Sequence, residues 1–143
     1  MLTRYTKDQI ADKYLTGDIL VTSSFVPTVN HFAIVFKQDG QDMVADNVFW
    51  SHKLEVSPLE DYKKQRNIIG ILRGDETMSL TDDYIKQKVD KAKNINYKFF
   101  DYNCEDFVRD VCKCNIGYDQ RKFYALVLLS ILFVVFLILL NRG

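Results

Sequence analysis

The sequence predicts an α+β domain, an antiparallel sheet packed on helices, followed by a membrane-spanning helix. Apolar residues recur at helical spacing in three stretches, around residues 5–16, 79–93 and 104–112. Between them lie short β-branched segments bounded by turn residues, of which 31–37 (HFAIVFK) is the clearest. The C-terminal residues 123–140 (FYALVLLSILFVVFLILL) form an unbroken apolar run of 18. With 143 residues there is room for one domain, and the expected organisation is a domain over 1–120 and an anchor over 121–143.

The first helix is expected over 5–16: Thr6 and Gln9 have capping-box spacing, and Ile10, Ala11, Tyr14 and Leu15 form one stripe ended by Gly17. Residues 18–22 then read as a strand and 23–30 as a loop around Pro27. After the 31–37 strand, the polar 38–42 segment turns the chain and 43–48 returns as the second arm of a hairpin. Strands are also expected over 50–56 and 67–72, separated by a segment marked by Ser57 and Pro58. Ser79 or Thr81 opens a second helix to about Lys93, with Tyr84, Ile85, Val89 and Ala92 facing inward and its charges forming a solvated face. Residues 97–100 are extended. They lead into Asn103, an N-cap, and a helix that starts at Cys104, with Phe107, Val108, Val111 and Cys112 on its inward stripe.

Composition excludes several function classes. The 19 basic and 19 acidic side chains balance, so there is no electrostatic footprint for nucleic acid. No Gly-rich phosphate loop and no internal repeat occurs. Three cysteines without a signal-peptide pattern point to a reducing compartment and free thiols. The 123–140 run would make a helix roughly 27 Å long, close to the ~30 Å hydrocarbon core of a bilayer. A helix apolar on every face would otherwise need a large protein around it. Flanked by Arg121 and Lys122 and followed by Asn141, Arg142 and Gly143, it reads as a single-pass tail anchor on an intracellular membrane, with the domain facing the cytosol.

The candidate chemistry centres on Cys104. A thiol at a helix N-terminus sits at the positive end of the dipole, which favours the thiolate, although the charges of Glu105 and Asp106 oppose part of that effect. A cysteine nucleophile needs a base, and the base needs a partner that fixes its ring. Of the two histidines, His31 opens the strongest strand on the face it shares with Ala33 and Val35, from which the ring can project toward a packed helix. His52, beside Ser51 and Lys53, reads as a surface residue. Taken singly, His31 and Cys104 would each be more readily explained as core residues. A metal site built from Cys112, Cys114, Cys104 and His31 is disfavoured, because the C-x-C spacing has no matching second pair. Cys112 fits the core and Cys114 a helix-end thiol placed for lipidation just ahead of the span. No cofactor is expected.

Three blocks together carry a family resemblance: Gly17-Asp18-Ile19-Leu20, His31-Phe32-Ala33-Ile34-Val35, and Asn103-Cys104-Glu105-Asp106-Phe107-Val108. They resemble the signature blocks of the lecithin:retinol acyltransferase family of thiol acyltransferases and phospholipases, which are permuted relatives of NlpC-type and papain-like cysteine hydrolases. The resemblance spans nearly all of the soluble part and extends to the C-terminal anchor. It implies a permuted papain-like fold, with Cys104 as nucleophile and His31 as base. Where those acyltransferases carry a second histidine, this chain has Met43; allowing for the longer turn, Asp46 falls at the corresponding hairpin position, as in related hydrolases that use an acidic residue there. Asn47 is the second choice for this third residue and His52 the third. The implied function is a membrane-anchored cysteine-dependent acyl hydrolase or acyltransferase acting on phospholipid acyl esters. The alternatives are a cysteine peptidase or other amide hydrolase of the same fold, and a catalytically silent tail-anchored interaction module.

Overall fold

Six antiparallel strands form one sheet in a computed structural model that describes residues 1–11, 13–23, 30–98, 102–117 and 120–140. The chain runs β1 (Thr3–Tyr5), α1 (Lys7–Ile10), β2 (Ile19–Ser23), β3 (Asn30–Gln38), β4 (Gln41–Val48), β5 (Lys53–Pro58), α2 (Leu59–Gln65), β6 (Ile68–Arg73), α3 (Asp75–Met78), α4 (Asp82–Ala92), α5 (Cys104–Cys112) and α6 (Gln120–Leu140). The strand order is β1-β6-β2-β3-β4-β5. The β3–β4 hairpin closes on Asp39 and Gly40, both at positive φ (52° and 78°), as a two-residue turn that matches strand twist requires.

Strand alternation divides the core in two. Ile19, Val21, Phe32, Ile34, Phe36 and Ala45 face α4 and α5, where they meet Ile85, Val89, Phe107, Val108 and Val111. Leu20, Ala33, Val35, Val44 and Ile71 face the other way, under Ile10, Tyr14, Leu59 and Tyr62. Phe36 and Phe107 are fully buried, each contributing about 1.5–3 kcal/mol of transfer free energy.

The Gly17-Asp18 block ties these layers together. Gly17, at φ 88°, packs so closely on α3 that a Cβ there would stand 2.0 Å from the Thr77 carbonyl oxygen. Its N–H donates to the Val35 carbonyl at 2.8 Å, and the Asp18 carbonyl accepts from Val35 N–H at 2.9 Å. The buried Asp18 carboxylate receives Arg73 Nε at 2.6 Å and Nη2 at 2.7 Å, a bidentate pair that satisfies both oxygens.

Several expectations are corrected. The helix over 5–16 is a single turn: the Thr6–Gln9 capping box forms, but Ala11 turns left-handed at φ 45° and ends the helix. Tyr14 is still buried, while Leu15 is exposed and its N–H is taken by Asp18 Oδ2 at 2.8 Å. Trp50 lies in a turn, with His52 at φ 54°, and the strand starts only at Lys53. α2 and β1 were not anticipated; seven and three residues offer too little periodicity for either. Nor are all three thiols free, because Cys112 and Cys114 form a disulfide at the end of α5. Most of the loop expected over 23–30, and Phe99 and Phe100 of the 97–100 segment, lie outside the described residues.

α6 contrasts with every other helix. Over Lys122–Leu140 its mean hydropathy is 3.1 and none of it is buried against the domain. The Ser130 hydroxyl donates to the Leu126 carbonyl at 2.8 Å, so the helix satisfies this polar group internally. The 19 residues of Lys122–Leu140 span about 28 Å, long and apolar enough to cross a membrane.

Candidate active site

Cys104 is the first residue of α5, and the local sequence fixes it there. Asn103 Oδ1 accepts the backbone N–H groups of Glu105 (2.9 Å) and Asp106 (3.1 Å), while Asp106 Oδ2 accepts the Asn103 N–H at 3.2 Å. This is a complete capping box, with both reciprocal bonds in place. The thiol takes no part in the Cys112–Cys114 disulfide and is buried, the residue being 2% exposed. Of the two acidic neighbours, Glu105 turns into the fold and pairs with Arg109 Nη2 at 2.6 Å, which offsets its charge near the sulfur.

His31 and Asp46 come from the sheet. Ala33 pairs with Asp46 across the β3–β4 ladder, so His31 is the diagonal same-face neighbour of Asp46. Nε2 of His31 hydrogen-bonds to Asp46 Oδ1. The His31 side chain is 15% exposed and Asp46 5%. His31 is also hydrogen-bonded to Cys104. Burial pulls the imidazole down, but the negative charge of Cys104 and then that of Asp46 outweigh it and raise His31 from 6.5 to about 10. The ring is therefore an imidazolium at neutral pH, hydrogen-bonded to both Cys104 and the Asp46 carboxylate.

His31 lies on the face of Ala33 and Val35, as expected, but the helix that carries Cys104 does not cover that face. Ala33 and Val35 point toward α1 and α2, whereas α5 covers the opposite face. His31 is the second residue of β3, at the end of the strand, and from there it meets Cys104, the first residue of α5. The register shift between Val21 and Thr22 in the adjoining β2–β6 pairing lies beside this spot, as bulges often do near functional sites.

Asn47 and His52 are placed elsewhere. Asn47 faces α5, and its Nδ2 donates to the Tyr102 carbonyl at 3.2 Å, which anchors the segment before the cysteine. His52 is exposed in the β4–β5 turn. The sequence reading missed four residues near the cluster. Thr22, fully buried, pairs with His31 across β2–β3 and lies beside the Tyr62 hydroxyl. Tyr62 of α2 is pushed above the ordinary phenol value by burial, then by the Asp46 carboxylate. Arg66, at the end of α2, brings Nη2 to 3.8 Å from Asp46 Oδ2. Tyr97, 9% exposed, is raised by burial and then by the charge at Cys104. Pairing the strands on paper would have found Thr22; the others needed the placement of α2 and of the segment after α4.

No group of three His, Cys, Asp or Glu side chains gathers to hold a metal among the described residues. A cavity of about 390 Å³ lined by Met1, Leu2, Arg4, Leu72 and residues 114–117 lies by the C-terminal end of α5, at the other end of the helix from Cys104. The arrangement is a cysteine, an imidazole and a carboxylate in one hydrogen-bonded line, a constellation suited to nucleophilic attack on a carbonyl. In comparisons with known proteins, no family model, no curated protein and no solved structure matches the chain.

Proposed function

We propose that the protein is a membrane-anchored cysteine-dependent acyl hydrolase or acyltransferase that acts on phospholipid acyl esters, with a permuted papain-like (NlpC-type) domain similar to that of the lecithin:retinol acyltransferase family. The observation that carries this reading is the continuous line from Cys104 through His31 to Asp46. Its order suits acyl transfer: a sulfur nucleophile hydrogen-bonded to an imidazole that an acidic residue orients.

In the proposed reaction Cys104 Sγ attacks the ester carbonyl carbon, and the backbone N–H at the start of α5 helps to hold the resulting oxyanion. The C–O bond breaks, His31 gives its proton to the departing lysophospholipid oxygen, and the acyl group remains as a thioester. Water or an acceptor hydroxyl or amine then attacks the thioester while His31 takes up the proton, which releases a fatty acid or an acylated product and restores the thiolate. Asp46 stabilises the imidazolium throughout. α6 supplies location: as an anchor it keeps the domain beside its lipid substrate.

The test is to incubate the protein with phospholipid labelled in an acyl chain, quench in acid and look for label on Cys104 that hydroxylamine removes. A labelled thioester in the wild type, absent in Cys104→Ser, is the expected result. Turnover of phospholipid by Cys104→Ser would overturn the proposal. Removing residues 123–143 should release the protein from membranes.

A further inference from the structure

The β4–β5 turn exposes large apolar side chains next to the candidate site. Trp50 is 71% exposed and Phe49 40%, and Ile95, two residues before Tyr97, is also 40% exposed. The Phe49 ring packs edge-on against Trp50, with centroids 5.0 Å apart, and against Tyr97 at 5.6 Å. The backbone joins the same pieces: the Tyr97 N–H donates to the His52 carbonyl at 3.1 Å. Tyr97 thus supports the aromatic turn from behind.

Tyr97 is also where the turn, the nucleophile and α6 converge. Burial raises its hydroxyl first, and the groups next in influence are Cys104 and then Tyr124, in the first turns of α6. A tryptophan and a phenylalanine held out on a rigid turn, with exposed His52, Lys53 and Lys98 around them, have the chemistry of a membrane–water interface: amphipathic rings at the headgroup level and cations for anionic lipid.

We propose that the Phe49–Trp50 turn is a second membrane contact that inserts into the headgroup region of the bilayer crossed by α6, so that the domain lies on the membrane with Cys104 at the interface. This rests on the reading of α6 as a membrane helix. α6 alone would fix only the distance of the domain from the bilayer and leave it free to rotate. A second contact on the far side of Tyr97 fixes its orientation, and the depth it implies is that of phospholipid ester carbonyls.

Trp50 is the single tryptophan of the chain, so it reports on its own position. The full-length protein would be reconstituted into phosphatidylcholine vesicles containing phosphatidylserine and isolated by flotation. Tryptophan emission would then be measured with lipids brominated near the headgroup and with aqueous iodide. The expected result is blue-shifted emission, strong loss of intensity with brominated lipid and protection from iodide. Quenching by iodide but not by brominated lipid, in protein that floats with the vesicles, would overturn the second contact and leave the α6 reading intact. Shielding from both quenchers would assign the turn to a protein surface, a partner or a second copy, and would overturn the proposal equally. Failure to float would remove the α6 reading and the proposal with it.

Discussion

On one face of the sheet Ile19, Val21, Phe32, Ile34 and Phe36 are sealed under α4 and α5; on the other, the same strands run apolar through Ala33 and Val35 and end in Thr22, His31 and Asp46 beneath Tyr62 of α2. Both faces are buried, but they answer to different physics. The first is held by transfer free energy and packing, so a substitution there changes stability. The second ends in a charged, hydrogen-bonded cluster whose worth for folding is small or even negative beside an apolar replacement, so its substitutions should change chemistry. Cys104 belongs by packing to the first face and by hydrogen bonding to the second.

That contrast can be broken by experiment. The largest expected effect is on turnover: Cys104→Ser should abolish it while leaving the thermal unfolding midpoint nearly unchanged, and His31→Ala should abolish it with a lowered midpoint, because the buried Asp46 loses its partner. Equal loss of stability and activity in Cys104→Ser would place Cys104 in the packing instead. Asp46→Asn keeps the shape and removes the charge, so turnover should fall by about 10²–10⁴-fold with little change in KM. Asn47→Ala, one residue along and on the other face, should cost about 1 kcal/mol of stability through the lost bond to Tyr102, with turnover nearly preserved.

On the packing face, Phe107→Ala should destabilise the domain by about 3–5 kcal/mol in denaturant titration. Any activity that remains should then track the folded fraction.

A pH effect separates the faces more finely. His31 is raised from 6.5 to about 10 on folding, so its charged form contributes stability in full below 6.5, and that contribution is lost as the pH climbs toward about 10. Denaturation midpoints measured across this window should fall with rising pH in the wild type and fall less in Asp46→Asn. The smallest effect is expected for His52→Ala, whose exposed ring should leave both readouts near wild type.

Much of this division was legible in the sequence because its signals are local. Asn103 followed by Cys104, with apolar residues at helical spacing, specified the start, cap and buried face of α5. Strict alternation in β3 and β4 put residues 46 and 47 on opposite faces, and an Asp-Gly turn set the register that joins Asp46 to His31. What remained hidden depends on distance in the chain. That α5 covers the face opposite His31 follows from packing order, which no single strand encodes. The early end of α1 follows from the left-handed Ala11 and from Asp18 taking the Leu15 N–H, a preference that the apolar stripe of 5–16 masks. Tyr62 and Arg66 sit on a seven-residue helix too short to show a period.

The central claim is that Cys104, His31 and Asp46 form one electrostatic unit at the end of the sheet. Its most direct test is the titration of the His31 ring followed by NMR in the wild type and in Cys104→Ser. The account predicts that His31 titrates near 10 in the wild type and at a markedly lower pH once the sulfur is replaced. A ring that titrates near 6.5, whichever residue stands at position 104, would contradict it.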